Sequence, residues 1–314
     1  MRILITGGAG FIGSHLCEAL LDRGDEVWCV DNLYLGKKEN LAPCRSSPHF
    51  HFDQIDVLVR DDLDDLFVRA GFEAVFHLAA NSDIARGSED HALDLRLTFL
   101  STTEVLEAMV RHGVKRIFLA SSSAVFGDTP QALAETTGPL QPVSFYGASK
   151  LAAEAFVSVF AHTLGFQAWV LRFPNVVGER STHGVLYDFV HRLRQDPARL
   201  RVLGDGSQTK PYLYVKDLVR AILTVWDKAR DERYAVYHVA GTGLTSVRQI
   251  AEIVVEEMGL SGIPVEYGSG NRGWQGDVPC FQYDSGKISG LGFQPTYDST
   301  QSVRIAVRKM LGKN

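Results

Sequence analysis

A tyrosine and a lysine four residues apart are the pair best suited to chemistry in this sequence. Tyr146 and Lys150 stand in the segment Phe-Tyr-Gly-Ala-Ser-Lys at the start of a predicted helix, so both side chains lie on one helix face. An ammonium group beside a phenol lowers the phenol pKa, which is about 10 in the absence of a perturbing neighbour. We therefore predict that Tyr146 acts as a general base near neutral pH.

A run of serines is predicted to meet this pair. Ser122 and Ser123 come directly after the predicted strand Arg116–Ser121. Ligands of a doubly wound sheet bind at the carboxyl ends of its strands, where a hydroxyl can hydrogen-bond the substrate oxygen that a tyrosine deprotonates. The Tyr-x-x-x-Lys spacing alone is common on solvated helices. It is the serine run that favours the catalytic interpretation.

A glycine-rich segment predicts a dinucleotide site. Residues 7–13 read Gly-Gly-Ala-Gly-Phe-Ile-Gly, between a predicted strand and a predicted helix. Such glycines permit a tight turn, close approach of the backbone to a pyrophosphate and close packing of helix on strand. Asp31 lies 18 residues past Gly13, at the tip of the next strand. Its carboxylate suits a ribose diol and repels a 2′-phosphate, which favours NAD over NADP, although a plain turn residue is the alternative.

Short apolar runs alternate with helical patterns through the first half of the chain. The predicted strands are Arg2–Thr6, Glu26–Val30, Phe50–Ile55, Ala74–Leu78, Arg116–Ser121 and Ala168–Phe173. The predicted helices are Ile12–Leu21, Leu63–Ala70, Leu97–Arg111, Ser149–Leu164, Lys216–Lys228, Ser246–Met258 and Ser302–Leu311. Continuously apolar strands alternating with helices indicate a parallel sheet covered on both faces. The predicted fold class is therefore α/β, with a doubly wound (Rossmann) sheet.

The strand–helix rhythm breaks after Phe173. At about 150 residues per domain, a chain of 314 residues is long enough for two domains. We predict a cofactor-binding Rossmann domain over residues 1–174, to which residues 205–245 return, and a smaller C-terminal α/β substrate-binding region over residues 175–314.

Composition narrows the class of protein. Hydrophobic residues make up 45% and charged residues 22%, and the net charge of −5 does not suit a protein that wraps nucleic acid. The sequence has no run of 18 apolar residues, so no membrane span is predicted. The first residues already form a predicted strand, which leaves no room for a signal peptide. The four cysteines, Cys17, Cys29, Cys44 and Cys280, form no CxxC pair and predict reduced thiols in a cytoplasmic protein without a metal site.

These motifs together resemble the extended short-chain dehydrogenase/reductase family. Gly7–Gly13, His77–Ala80, Ser121–Gly127 and the Tyr146/Lys150 pair follow that family's order, and the likeness covers nearly the whole chain. Within the family the chain is most similar to the UDP-glucose (UDP-galactose) 4-epimerases. The segments that carry this second similarity are 172–178, 182–189, 204–206, 212–215 and 272–278.

The resemblance implies the roles of individual residues. The catalytic hydroxyl of the family usually lies five residues before a glycine that corresponds to Gly127, which selects Ser122. The implied catalytic residues are Ser122, Tyr146 and Lys150. The implied cofactor-binding residues are Gly7, Gly10, Phe11, Ile12, Gly13, Asp31, Asn32, Asp56, Val57, Leu78, Ala79, Ala80, Tyr146, Lys150 and Phe173. The implied substrate-binding residues are Ser122, Ser123, Tyr146, Asn175, Gly184, Val185, Val202, Tyr212, Arg272 and Asp277.

The resemblance also implies an activity. It is that of an NAD-dependent isomerase of galactose metabolism, which inverts C4 of a UDP-hexose through a transient 4-keto sugar, with residues 175–314 binding the nucleotide-sugar. The family commonly forms homodimers through two helices per subunit, here Leu97–Arg111 and Ser149–Leu164.

Departures from the family pattern bear on the choice of reaction. Ala124 stands where dehydratases and decarboxylases of the family carry an acidic residue, so elimination and decarboxylation lack their acid. Thr98 replaces a frequent asparagine, Phe126 the usual tyrosine, and Lys210 a diphosphate-binding arginine. The alternatives are a 4-epimerase of UDP-glucuronate, a UDP-N-acetylhexosamine or a UDP-pentose; a nucleotide-sugar dehydratase or reductase; and a non-catalytic NAD-binding scaffold.

Overall fold

A computed structural model of the chain describes residues 1–129, 132–271, 278 and 280–313. The strands are β1 Arg2–Thr6, β2 Glu26–Val30, β3 Phe50–Asp53, β4 Ala74–His77, β5 Arg116–Ser122, β6 Gln167–Phe173, β7 Asn175–Val177, β8 Leu200–Val202, β9 Thr209–Lys210, β10 Tyr212–Tyr214, β11 Tyr234–His238, β12 Thr245–Ser246 and β13 Val265–Tyr267. The helices are α1 Phe11–Asp22, α2 Arg60–Ala70, α3 Ile84–Glu89, α4 His91–Asp94, α5 Ser101–Arg111, α6 Phe145–Leu164, α7 Val185–Gln195, α8 Val215–Lys228, α9 Val247–Glu257, α10 Gly286–Gly290 and α11 Ser299–Met310.

The chain divides into two units. The first comprises Met1–Gly127, Gly138–Arg172 and Ile222–Tyr237, and the second comprises Asp128–Thr137, Phe173–Ala221 and His238–Asn314. The functional division, with cofactor binding over residues 1–174 and nucleotide-sugar binding over residues 175–314, stays a prediction.

A parallel sheet forms the centre of the first unit. Within the described residues it has seven strands in the order β11-β6-β5-β4-β1-β2-β3, covered by helices. The inner strands β1 and β5 are mostly apolar and buried, and every residue of β4 is buried, as expected for a sheet with helices on both faces. The strand order reverses between β1 and β4, which is the switch point where doubly wound sheets bind their ligands. The predicted fold class, with a C-terminal region beyond the sheet, is confirmed.

The helix predicted over Leu97–Arg111 differs from its prediction. The helical chain begins earlier, at α4, and passes through a π-helical stretch, Leu95–Leu100, before α5 begins at Ser101. The wider turn shifts the apolar residues off a regular 3.6-residue spacing, so the sequence pattern is recognisable only from Leu97 onward.

Each unit has its own apolar core. In the first unit, α2, α5 and α6 bury large side chains against the sheet, including Phe67, Met109 and Phe160. In the second unit, α7, α9 and α11 pack together around Phe189 and Val254. None of the described helices is both long and apolar enough to cross a membrane. The described residues include no group of three or more His, Cys, Asp or Glu side chains that could hold a metal ion.

Candidate active site

The start of α6 presents Tyr146 and Lys150. Ser144 caps this helix, because its hydroxyl accepts a hydrogen bond from the backbone N–H of Gly147 at 3.1 Å. The cap fixes where the helix begins and therefore where Tyr146, in its first turn, is placed. Lys150 follows one turn later, so the predicted shared helix face is present.

Gly147 allows α6 to approach the end of β5 closely. A Cβ atom at this position would lie 2.4 Å from the carbonyl oxygen of Ala124, far inside van der Waals contact. Ala124 belongs to the 3₁₀ turn Ser123–Phe126, which directly follows β5. The absence of a side chain at Gly147 therefore brings the helix that carries Tyr146 against the turn that follows Ser122.

Ser122 contacts Tyr146 directly. Ser122 ends β5 in extended conformation, and its hydroxyl oxygen accepts a hydrogen bond from the N–H of Ala124 at 3.2 Å. The same side chain is hydrogen-bonded to the phenol of Tyr146. Since the cap holds Ser122 in one orientation, the phenol and the hydroxyl form a fixed pair. The structure thus brings together the predicted residues Ser122 and Tyr146, and it places Ser123 in the adjoining turn.

The ammonium group of Lys150 lies near this pair but acts differently from the prediction. Its Nζ atom donates a hydrogen bond to the carbonyl oxygen of Ala120 at 2.7 Å and lies 5.8 Å from the ring centre of Tyr146. Burial raises the pKa of Tyr146 to about 12, while the hydrogen bond from Ser122 works in the opposite direction. Burial lowers the pKa of Lys150 to about 8, against the opposing charges of Glu154 and Asp94. The expectation that the pKa of Tyr146 is lowered is therefore wrong, because desolvation of the phenol is the largest effect on it.

A buried ion pair connects the elements that carry the active-site residues. Arg172 and Glu154 are each 4% exposed and meet at 2.7 Å. The guanidinium also donates from Nε to the same carboxylate at 3.0 Å. Ser121, the neighbour of Ser122, donates a hydrogen bond to Glu154, and the ring of Phe126 stacks beneath the guanidinium, 4.9 Å away. This network ties α6, the end of β5 and β6 together, and sequence spacing gave no signal for it.

The sequence pattern also gave no indication of a second buried acid, which lies near Tyr146 and Lys150. Asp94, at the end of α4, is fully buried, and its Oδ1 accepts a hydrogen bond from Nδ2 of Asn81 at 2.9 Å. The backbone N–H of Asn81 is in turn held by Oγ1 of Thr98 at 3.2 Å. No spacing rule singles out one aspartate in a charged helix, so its burial becomes visible only in the structure.

The glycine-rich turn lies at the switch point of the sheet. Gly7 has a positive φ of 69°, and a Cβ atom there would lie 2.7 Å from the backbone nitrogen of Ala79. The N–H groups of Leu78 and Ala79 donate to the carbonyl and hydroxyl oxygens of Thr6. The structure therefore brings the predicted cofactor residues of this turn next to the predicted wall Leu78–Ala80.

This turn fits a dinucleotide pyrophosphate. Gly10 stands at the N-terminus of α1 and provides no side-chain cap, and no acidic residue occupies the first turn. The free N–H groups and the dipole of such a helix end attract a phosphate group. A Cβ atom on Gly13 would lie 2.3 Å from the carbonyl oxygen of Gly7. The glycines thus keep the turn tight, while Phe11 and Ile12 stand half-buried at the helix start.

The residues predicted to hold the adenosine end also meet. Asp31 is buried and accepts hydrogen bonds from the N–H groups of Ala9 and Leu33 at 3.0 and 2.8 Å. Burial raises the pKa of Asp31, against these hydrogen bonds. Nδ2 of Asn32 donates to Asp56 at 3.2 Å, next to the buried Val57. The carboxylate of Asp31 therefore organises the loop, as the alternative interpretation held, and its contact with a ribose stays a prediction.

The second unit contains half of the ten predicted substrate residues within the described part of the chain. Asn175 and Tyr212 are paired directly across the β7–β10 ladder. Gly184, with a φ of 97°, precedes Val185 at the start of α7. The predicted substrate residue Val202 and the predicted cofactor residue Phe173 are both buried in this unit. Arg272 and Asp277 lie outside the described residues, as does Trp274.

Known proteins with this sequence pattern and fold act on nucleotide-sugars. The sequence profile of the "NAD dependent epimerase/dehydratase family" matches residues 3–240. A putative UDP-glucose 4-epimerase of Methanocaldococcus jannaschii is 31% identical over 99% of both chains. The structure of a Thermotoga maritima UDP-glucose 4-epimerase with UDP-glucose superposes with a TM-score of 0.88, at 32% identity, and covers 99% of this chain and all of that one.

A dehydratase is similar to nearly the same degree. The dTDP-glucose 4,6-dehydratase of Streptomyces venezuelae, solved with NAD bound, has a TM-score of 0.89 at 28% identity and covers 98% of this chain and 96% of that chain. The comparisons therefore show the family and its cofactor, while epimerases and dehydratases match alike. The resemblance predicted from the sequence motifs is confirmed: the chain belongs to the NAD-dependent epimerase/dehydratase family of the extended short-chain dehydrogenase/reductases, whose members act on nucleotide-sugars.

Proposed function

We propose that this protein inverts C4 of a UDP-hexose, in the sense of a UDP-glucose/UDP-galactose 4-epimerase. The observation that carries the proposal is the fixed Ser122–Tyr146 pair with Lys150 one turn away and Ala124 two residues after the serine. The pair supplies a proton-transfer group, and alanine supplies no acid for elimination.

NAD, when bound, supplies reversible hydride acceptance, so that a sugar C4 hydroxyl can be oxidised and then reduced from its opposite face. The turn at Gly7–Gly13 would hold its pyrophosphate, and Asp31 its adenosine ribose. The chain's own residues move the proton. Tyr146 takes it from the C4 hydroxyl and later returns it, and Ser122 keeps the sugar oxygen in line with the phenol.

The high pKa of Tyr146 defines its part in this cycle. A phenol with a pKa of about 12 holds its proton at neutral pH, so Tyr146 must lose that proton to solvent before it can accept the one from the C4 hydroxyl. It returns the accepted proton when the C4 carbonyl is reduced. The hydrogen bond from Ser122 stabilises the phenolate that begins this cycle. Lys150, held on the carbonyl oxygen of Ala120, places a positive charge near the same site.

Further features of the chain support the related proposals on assembly and location. Phe156, Val159 and Leu164 are exposed on α6, as are Leu95 and Leu100 on the preceding π-helical stretch. We infer that these apolar faces pair in a homodimer, as the resemblance implies. Cys17, Cys29 and Cys44 are buried and form no disulfide, which supports a cytoplasmic location.

The test uses the purified protein without added cofactor. UDP-galactose should produce a transient near-ultraviolet absorbance of reduced nicotinamide, and the anomeric proton signals of UDP-glucose should appear in the NMR spectrum. A panel of UDP-, dTDP- and GDP-sugars then defines the accepted nucleotide and the substituents at C2 and C6. A 4-keto-6-deoxy sugar as the product would replace the epimerase by a dehydratase. Bound NAD without turnover of any sugar would favour the non-catalytic scaffold.

A further inference from the structure

The buried carboxylate of Asp94 has no role in the proposed proton transfer. Its side chain is fully buried. One oxygen accepts the hydrogen bond from Asn81, whereas Oδ2 has no hydrogen-bond partner among the described residues. An unpartnered buried carboxylate oxygen lowers stability, so folding alone does not account for an acid at this position.

The structure holds this carboxylate in one place. A Cβ atom on Gly87 of α3 would lie 1.9 Å from Oδ2 of Asp94, so the oxygen is pressed against a glycine backbone that leaves no room for a side chain. On the other side, Thr98 fixes the backbone of Asn81 and thereby the amide that bonds Asp94. The unpartnered oxygen therefore lies in close contact with the backbone of α3.

The charges around Asp94 converge on the active site. The short helix α4 packs against α6, and the charge of Asp94 acts on both Tyr146 and Lys150. Asp83, in the loop before α3, is the like charge that faces it. Glu154 of α6 is a further buried acid near α4, and the charge of Lys150 also acts on the buried His77 of β4. The remaining titratable or charged side chains of the helical segments packed around α4 are exposed to solvent: His91, Arg86, Glu89, Arg96 and His162.

Comparison with Glu154 separates the two acids that act on Lys150. Glu154 is paired with the guanidinium of Arg172 and accepts a hydrogen bond from Ser121, and its charge acts on Lys150 more strongly than that of Asp94. Asp94 receives only the neutral amide of Asn81 by hydrogen bond. Burial raises the pKa of Asp94, while the hydrogen bond from Asn81 and the charge of Lys150 favour its carboxylate form.

We propose that Asp94 is a positioning residue of the active site, a second counter-charge beside Glu154 that helps to keep Lys150 in its ammonium form. The role rests on the proposed function, in which Lys150 supports proton transfer at Tyr146. Asp94 acts through Lys150 and does not touch the reacting atoms in this role. Its carboxylate lowers the stability of the fold because one oxygen has no hydrogen-bond donor among the residues that the structure describes, and its charge favours the ammonium form of Lys150.

The test measures the titration of Lys150 in the purified protein with its bound cofactor. Lysines carry a carbon-13 label at Cε, and the NMR signal of Lys150 is assigned by its loss in Lys150→Met. We expect Asp94→Asn, which keeps the side-chain shape, to lower the Lys150 midpoint by on the order of 0.5–1 pH unit, as removal of one nearby charge requires. Asp90→Asn is the matched control. It is the same substitution at the exposed cap of α4, where asparagine caps equally well, and it should leave the midpoint unchanged.

A second variant guards against the case in which Asp94→Asn does not fold. Asp94→Ser removes the same charge in a smaller side chain and should shift the Lys150 midpoint in the same direction. An unshifted midpoint in the folded variants overturns the proposal, even if their activity falls. Because the titration needs no substrate, a shifted midpoint in a protein without epimerase activity would contradict only the proposed function.

Discussion

The close approach at Gly147 offers a direct test of how the active site is assembled. In Gly147→Ala the new Cβ atom would lie 2.4 Å from the carbonyl oxygen of Ala124, whereas ordinary contact begins at 3.4 Å. The start of α6 and the Ser123–Phe126 turn must therefore separate by about 1 Å, which pulls Tyr146 away from Ser122. A displacement of about 1 Å can lower a rate by about 100-fold. The same overpacking costs about 1–3 kcal/mol of stability.

The assay is the kcat of the UDP-galactose to UDP-glucose conversion, followed by NMR, together with thermal unfolding. We expect kcat to fall by about 100-fold in Gly147→Ala while the circular dichroism spectrum stays that of the folded protein. Gly290→Ala is the matched control, because no atom lies within 4 Å of its new Cβ position. It should keep both kcat and the thermal midpoint. A folded Gly147→Ala protein with unchanged kcat would refute the reasoning, since the approach of α6 to the end of β5 would then not govern catalysis.

Three other substitutions test separate parts of the structure. Tyr146→Phe removes the proton-transfer group, so kcat should fall by about 10²–10⁴-fold while NAD stays bound; turnover near that of the wild type would exclude Tyr146 as this group. Arg172→Met leaves the carboxylate of Glu154 buried without its guanidinium, and the free energy of unfolding in urea should fall by about 3–5 kcal/mol. An unchanged free energy of unfolding would show that the ion pair is dispensable. Burial lowers the pKa of His77 from its ordinary 6.5 to about 3. Between these pH values the unfolded chain binds a proton at His77 and the folded protein does not, so stability falls as pH decreases. That loss should be about 1.7 kcal/mol from pH 6.5 to 5 and should disappear in His77→Gln. An equal loss in both proteins would assign it to other groups.

Local sequence patterns predicted the elements that position the site. The glycine-rich turn is recognisable because strand, glycines and helix are contiguous, and the Tyr146/Lys150 spacing follows from helix geometry alone. The serine run could be joined to them because the strand order of a doubly wound sheet places strand ends together. These inferences needed no knowledge of burial.

Burial itself was the part that the sequence could not supply. The pKa of Tyr146 depends on desolvation, which outweighs the effect expected from Lys150, and Lys150 bonds the carbonyl oxygen of Ala120. Asp94 and Glu154 read as ordinary helix acids until the fold encloses them. The π-helical stretch before α5 escaped prediction because it breaks the helical period.

The division of the chain into interleaved units limits how the protein can be cut. A fragment ending at residue 174 would contain β6 but lack β11, the strand that pairs beside it at the end of the sheet. The apolar β6, with Trp169 and Val170 fully enclosed in the intact protein, would then become an open edge with unsatisfied backbone groups. Such an edge is a template for pairing with other chains. The early cut should therefore yield aggregates, and a soluble Rossmann fragment would need residues 222–237 supplied in another way.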